Sequence, residues 1–359
     1  MSAGTLTLGI AGLVLLVGGG ELLVRGASKI AVAAGLSPLV VGLTVVAFGT
    51  SAPELAVSSQ AALSGRADLA IGNVVGSNIF NVLFILGLSA VITPLAVHTR
   101  LVRREIPLMI GSAVLLLVLG LDGGIGRWDG VLLLAGAVGY AAWTVRASRR
   151  ETGEARAAEE LSPGQESGTV ERTGLLLAGV SVLAGLALLV LGARWLVDAA
   201  VGAARSLGVD EFTIGVTIVA AGTSLPEVAA SVIAAVRGQR DIAVGNVVGS
   251  NLFNVLGILG AAGLMAPEGV GVAAEILRFD VPVMIAVSVA CLPILFTGWT
   301  ISRLEGLVFL AYYGAYVAYL LLAQQAHAVL PAFSRTMWLF VLPVTAIVLA
   351  MTAWRSARS

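Results

Sequence analysis

Cysteine is almost absent from this 359-residue sequence, where Cys291 stands alone. That excludes an internal disulfide framework and any thiolate-rich metal site. Histidine is nearly as scarce: His98 and His327 are the two present, and neither lies near a cysteine. Zinc or copper sites and nucleophile–base pairs built on His or Cys therefore have no residues to work with, and an enzyme is not expected. Charge is scarce as well, at 12% of residues against about 25% in soluble proteins. Net charge is zero, and no basic stretch is interleaved with aromatics, so nucleic acid is not an expected partner. No Lys or Arg precedes Arg25. The basic region of a signal peptide is missing, and the first apolar segment is expected to stay in the mature protein.

Apolar residues make up 58% of the chain, and mean hydropathy is +0.99. Windows of about 20 residues without a charge recur along it, the length needed to cross a bilayer as helix. Eleven spans are read, each carrying a few charges at most, near 6–28, 37–63, 68–92, 101–121, 127–147, 173–200, 212–236, 241–265, 274–297, 302–324 and 335–354. The fold class is an all-α polytopic membrane protein, with the lipid bilayer as its surroundings. The one long hydrophilic stretch, 149–172, is rich in Glu, Arg, Gly and Ser and reads as a flexible linker. It divides a first half (1–148, spans one to five) from a second half (173–325, spans six to ten). An additional helix and tail follow at 326–359.

The halves are copies. Gly-Thr-Ser-Ala-Pro-Glu-Leu at 49–55 returns as Gly-Thr-Ser-Leu-Pro-Glu-Val at 222–228, and Gly-Asn-Val-Val-Gly-Ser-Asn-Ile-Phe-Asn at 72–81 returns at 245–254 with one change. Both motifs repeat at an offset of 173. Residues 35–87 and 208–260 align without a gap at about 31 identities in 53 positions, and beyond that window the likeness fades. Pro53 and Pro226 each remove a backbone donor within an apolar span, so spans two and seven should be broken there. The paired glycines of spans three and eight suggest a break there too, although Gly72, Gly76, Gly245 and Gly249 also suit close helix packing.

Basic residues set the orientation. With the N-terminus on one face, fifteen Lys and Arg fall on the opposite face and six on its own, so the face with fifteen is cytoplasmic. The N-terminus is then outside, while the 149–172 linker and the C-terminus are inside, in a cell (inner) membrane. Five spans is an odd number, so the second repeat starts from the other face. Inverted repeats of this kind are an arrangement of secondary transporters, with the binding site at mid-membrane between the halves.

On a helix, Thr50 and Ser51 share a face with Glu54, and Asn73, Ser77 and Asn81 recur every four residues along one stripe. The second copy supplies Thr223, Ser224 and Glu227, then Asn246, Ser250 and Asn254. Brought together, these form an all-oxygen cage suited to hard cations such as Ca²⁺ and Na⁺. A carboxylate at mid-membrane costs about 2.5–3.5 kcal/mol even by insertion measurements, and neither Glu has a basic residue within a turn. Bound cations would neutralise them. Blander roles fit other residues. Single Ser or Thr hydroxyls often bond back to their own backbone. Asp68 and Asp241 are expected to cap spans three and eight, and Glu21 to pair with Arg25.

The two Gly-Thr-Ser-x-Pro-Glu stretches, each followed by Gly-Asn-Val-Val-Gly-Ser-Asn-x-Phe-Asn, resemble the paired alpha-repeats of sodium/calcium exchangers in the calcium/cation antiporter superfamily, and the chain is similar to its prokaryotic members. That likeness covers about 1–325. It implies exchange of Na⁺ for Ca²⁺ by alternating access, typically three Na⁺ for one Ca²⁺, with both ions as transported substrates and no covalently bound cofactor. By motif position it implies Glu54 and Glu227 as shared ligands. It further implies backbone carbonyls of Thr50, Thr223, Ala47 and Ala220, and Na⁺ sites lined by Ser51, Ser77, Ser224 and Ser250. Asn81 and Asn254 would hold the central position. Some relatives, including potassium-dependent ones, carry an acidic residue where this chain has Asn254. Here the cage has a formal charge of −2, and no potassium requirement is expected. A Ca²⁺/H⁺ antiporter of the same superfamily is the close alternative, with Glu54 and Glu227 carrying protons. A passive cation channel is a more distant one.

Overall fold

A computed structural model describes residues 3–160, 172–207, 214, 218, 220–296, 299–325 and 327–342. The described chain is almost wholly helical. In order, the helices are α1 (Ala3–Ala34), α2 (Pro38–Thr50), α3 (Ala52–Leu63), α4 (Ala67–Ile92), α5 (Leu101–Asp122) and α6 (Arg127–Glu160). There follow α7 (Arg172–Ser206), α8 (Ala220–Gly222), α9 (Leu225–Val236), α10 (Arg240–Met265), α11 (Val281–Phe296), α12 (Arg303–Gln324) and α13 (Leu330–Thr336). Seven described helices are long and apolar enough to cross a membrane, or eight when α2 and α3, bent by 48° at their junction, count as one broken span. Most of the stretch preceding α9 in the expected seventh span, and the expected eleventh span beyond 342, lie outside the described residues.

The inversion is visible in the contact between α1 and α7. A Cβ added at Gly12 would lie 2.7 Å from the backbone of Leu196, one at Gly19 2.8 Å from Gly185, and one at Gly26 2.8 Å from Ala178. Partner numbers fall as the α1 number rises, so the helices are antiparallel. Only glycine allows backbones this close, which fuses α1 and α7 into a pair. Gly12 and Gly19 map onto Gly185 and Gly192 at the same offset of 173. The duplication thus extends into helices whose apolar residues have diverged.

Short antiparallel strand pairs tie the loops together. β1 (Leu95–Ala96) pairs with β4 (Thr300–Ile301), joining Leu95 to Ile301, and β2 (Gly124–Ile125) pairs with β3 (Val270–Gly271), joining Ile125 to Val270. Each pairing needs its two loops on one face. Six expected crossings separate the first pair and four separate the second, and both numbers are even.

α4 and α10 form the buried centre, with Ile71, Ile79 and Ile85 on one and Leu252, Val255 and Ile258 on the other all buried. Neither is broken. Each runs 26 residues and contains instead a π-helical turn, Asn81–Leu86 in α4 and Asn254–Ile258 in α10. The expected discontinuity is corrected accordingly: glycines facing a close neighbour need not end a helix. Gly245 and Gly249 do pack as foreseen, with an added Cβ 2.8 Å from the Leu39 carbonyl and 2.5 Å from that of Leu43. Gly72 and Gly76 have no described atom within 4 Å of such a Cβ, and the repeat-equivalent partner stretch, 212–216, is almost entirely outside the described residues.

Two further expectations change. Asp68 and Asp241 sit inside the first turns of α4 and α10, whose cap positions are Arg66 and Gln239 with no side-chain cap bond; they favour the positive helix end but do not cap it. The first part of the 149–172 stretch, to Glu160, is helical, because Ala, Glu and Arg propagate a helix already started in α6. Glu151 is anchored there, accepting from Arg100 at 2.8 Å and Arg104 at 3.2 Å. Residues 161–171 lie outside the described residues. Glu21 does accept from Arg25, at 2.5 Å, and also from Arg237 at the end of α9, at 2.8 Å.

Candidate functional site

One break per repeat builds the site. Ser51 (φ −79°, ψ 10°) and Ser224 (φ −89°, ψ 7°) leave helical geometry, and a new helix starts on the next residue. Pro53 and Pro226 fall in the opening turns of α3 and α9, where a missing N–H breaks no bond. Glu54 and Glu227 follow them, still within those first turns. The glutamates therefore lie at the positive ends of two short helices that meet inside the protein, and the helix ends favour their charged form.

The two repeats grip each other through these residues. Ser51 of the first repeat donates to Glu227 Oε1 at 2.8 Å, and Ser224 of the second donates to Glu54 Oε1 at 2.8 Å. Asn73 donates to the Ser58 hydroxyl at 2.9 Å and the Glu54 carbonyl at 3.4 Å, and Asn246 donates to Ser231 and the Glu227 carbonyl at the same two distances. At the π-turns, Asn81 Nδ2 donates to Asn251 Oδ1 and Asn254 Nδ2 to Asn78 Oδ1, both at 3.0 Å. Asn78 and Asn251 in turn donate to each other's backbone carbonyl, at 3.2 and 3.3 Å.

Buried polar groups are nearly always paired, so those left over mark a site. Seven buried side-chain polar atoms among the described residues lack a hydrogen-bond partner, and five gather here: Glu54 Oε2, Glu227 Oε2, Asn81 Oδ1, Asn254 Oδ1 and Ser250 Oγ. All five are oxygens. Neither glutamate forms an ion pair among the described residues, and both are fully buried, at 0% and 1% exposure. Two buried carboxylates with no basic partner among the described residues are neutralised by bound protons or by cations. The described residues hold no group of three or more His, Cys, Asp and Glu, so the donors are a mixture of carboxylate, amide and hydroxyl oxygen. Ca²⁺ and Na⁺ favour that set.

The structure brings most of the expected residues together. Glu54, Glu227, Ser51, Ser224, Asn81 and Asn254 meet as described, Ser77 Oγ lies 3.3 Å from Ser224 Oγ, and Ser250 is buried with its hydroxyl unpartnered. The Thr50 hydroxyl serves structure, lying 3.1 Å from the Val46 carbonyl and 3.1 Å from Asn246 Oδ1. The Ala47 carbonyl accepts from the Ser51 N–H at 3.0 Å and faces the Thr50 hydroxyl at 3.3 Å. Thr223 is in the second break, and Ala220 opens α8. Asn78, Asn251, Ser58 and Ser231 were not singled out from the sequence. Each is identical to its counterpart at the 173 offset, a signal that the four-residue stripe reading passed over. Next to the cage, a cavity of about 850 Å³ runs between α7 and the α2–α10 wall, lined by Phe48, Gly49, Leu186, Gly249 and Phe253, with Arg194 its one charged lining residue.

Antiparallel repeats, a paired break in two apolar spans and a buried oxygen cage between them define a membrane transporter of cations. The family described as "Sodium/calcium exchanger protein" matches residues 5–146 and 177–322, and the chain belongs to it. It is 34% identical over 338 residues to the sodium/calcium exchanger MaX1 of Methanosarcina acetivorans, covering 86% of this chain and 96% of that one. It is 39% identical over 283 residues to the putative antiporter CaxA of Alkalimonas amylolytica, covering 79% and 87%. Among solved structures it resembles the sodium-calcium exchanger NCX_Mj soaked without Na⁺ and Ca²⁺, with a TM-score of 0.75 at 31% identity over 89% of this chain and all of that one.

Proposed function

We propose that the protein is a secondary active antiporter that exchanges Na⁺ for Ca²⁺ across the cytoplasmic membrane. The observation that carries this reading is the pair of reciprocal Ser–Glu bonds between repeats, with the second oxygen of each carboxylate left facing its surroundings unpartnered. Glu54 and Glu227 hold the ions in turn. Ser51, Ser77, Ser224 and Ser250 supply hydroxyl oxygens, and Asn81 and Asn254 supply neutral amide oxygens at the centre. Backbone carbonyls of Thr50, Thr223, Ala47 and Ala220 complete the set when the helix breaks rearrange around an ion. A charge of −2 is cancelled by one Ca²⁺ and exceeded by one unit with three Na⁺, so exchange at three to one moves net charge.

The two repeats, 1–148 and 173–325, act as the moving and holding parts together. The glycine-fused α1–α7 pair shifts across the α2–α3 and α8–α9 breaks. Leu186 and Val197 of α7 lie against Gly49 and Gly222, where an added Cβ would come within 2.6 and 2.5 Å, so the same helix touches both breaks. The N-terminus lies outside, with the 149–172 linker and the C-terminus inside. Purified protein in sealed vesicles tests the function: an imposed Na⁺ gradient should drive ⁴⁵Ca²⁺ uptake with no pH gradient. Uptake that needs a pH gradient would replace Na⁺ with H⁺ as the coupling ion, and steady conductance without a counter-ion would replace exchange with a channel.

A further inference from the structure

Asn78 and Asn251 are candidates for neither ion binding nor packing alone. Both side chains are buried at the α4–α10 crossing. Asn78 Nδ2 lies 3.2 Å from the Asn251 carbonyl and 3.5 Å from Met284 Sδ, while Asn251 Nδ2 lies 3.3 Å from the Asn78 carbonyl and 3.5 Å from Met109 Sδ. A carbonyl oxygen and a thioether only accept. Each amide therefore has one allowed orientation, NH₂ toward carbonyl and sulfur, with Oδ1 on the opposite side. That oxygen meets Asn254 Nδ2 in one case and Asn81 Nδ2 in the other, at 3.0 Å. Reversing Asn254 or Asn81 would set two amide oxygens against each other in the buried interior. Their own oxygens are consequently turned away from the crossing, and those are two of the unpartnered atoms of the cage.

We propose that Asn78 and Asn251 are positioning residues that fix the amides of Asn254 and Asn81 with oxygen toward the transported ions. The proposal rests on the exchanger reading above. The bonds are crossed: the first repeat aims the central donor of the second, and the second aims that of the first. Ser224 and Ser51 do the same for Glu54 and Glu227. Both carboxylates and both central amides are thus held by the opposite repeat, and this arrangement exists only while α4 and α10 keep register. With either anchor removed, the freed amide samples the reversed orientation and presents an NH₂ to a cation.

A double-mutant cycle tests this on the full-length protein. Ca²⁺ and Na⁺ binding to purified protein would be measured by calorimetry for wild type, Asn78→Leu, Asn254→Leu and the double variant. Asn78→Leu should weaken binding by up to about tenfold, the scale of one lost neutral hydrogen bond, and Asn254→Leu at least as much. The double variant should be no weaker than Asn254→Leu alone, because Asn78 acts only through Asn254. Met284→Leu, which leaves the anchoring carbonyl in place, should bind within twofold of wild type. Multiplying effects in the double variant, or wild-type affinity in Asn78→Leu, would overturn the proposal. The mirror cycle of Asn251→Leu and Asn81→Leu decides the matter if a first-cycle variant fails to fold. Absent Ca²⁺ binding in wild type would instead strike the exchanger reading itself.

Discussion

Replacing Glu54 by Gln removes one charge and almost no volume. In the structure Glu54 Oε1 accepts from Ser224 at 2.8 Å, and the Gln carbonyl oxygen can keep that bond. What is lost is one of two carboxylates that no basic side chain among the described residues neutralises, so a Ca²⁺ ion in the cage would face a charge of −1 instead of −2. Breaking a buried ionic interaction by removing one partner costs about 3–5 kcal/mol, which corresponds to Ca²⁺ binding weaker by roughly 10²- to 10⁴-fold. The empty protein should respond in the opposite sense, because an uncompensated buried charge has been removed. Its melting temperature without Ca²⁺ or Na⁺ should equal or exceed that of wild type, while the rise on adding Ca²⁺ disappears. Thermal melts in detergent with and without Ca²⁺, beside ⁴⁵Ca²⁺ uptake in vesicles, read both signs. Uptake at wild-type Ca²⁺ concentrations by Glu54→Gln would refute the reasoning.

Other expectations follow from the same geometry. Ser51→Ala and Ser224→Ala each remove one hydroxyl donor to a carboxylate, and each should weaken Ca²⁺ binding roughly tenfold; pseudo-symmetry predicts similar losses, so a large effect in one and none in the other would contradict it. Gly19→Leu or Gly185→Leu forces a side chain into a space where a Cβ already lies within 2.8 Å of backbone, so folded yield in detergent should collapse, whereas the same change at Gly139, with nothing within 4 Å, should be tolerated. Ca²⁺ uptake with Na⁺ held fixed should not change when K⁺ is varied, since neither Asn81 nor Asn254 carries charge. A crosslink between α1 and α2 that leaves transport intact would remove the proposed movement of the α1–α7 pair.

Much of this was legible in the sequence because an oxygen site within apolar helices stands out against its background. Glu54 and Glu227 cannot be there for solubility, and the 173-residue offset shows which polar residues travel with them. Inversion followed from an odd number of spans, and the antiparallel α1–α7 contact agrees with it. The details of how backbone meets backbone were not legible. Proline signals a missing donor, but whether a helix kinks or ends and restarts depends on its neighbours, and here Pro53 falls in the first turn of a new helix. A π-helical turn at Asn81 has no residue signature of its own, and without it the four-residue stripe leaves Asn78 facing elsewhere. The carboxylate–tyrosine contacts of Glu105 with Tyr140 and Asp280 with Tyr316, both 2.8 Å, are a further related pair. They escaped notice because their offsets, 175 and 176, no longer equal 173.

The central claim is that Na⁺ and Ca²⁺ compete for one cage between inverted repeats and that their exchange moves charge. Reconstituted vesicles loaded with Na⁺ and diluted into Na⁺-free medium containing ⁴⁵Ca²⁺ test it most directly, with membrane potential clamped at several values and K⁺ and H⁺ equal on both sides. The account predicts Ca²⁺ accumulation that requires internal Na⁺, responds to membrane potential, and vanishes in Glu54→Gln and Glu227→Gln. With three Na⁺ leaving for each Ca²⁺, one positive charge leaves per cycle, so the sign is fixed: uptake should be faster with a positive interior and slower with a negative one. Ca²⁺ accumulation that ignores internal Na⁺, or proceeds undiminished in both glutamine variants, would contradict it.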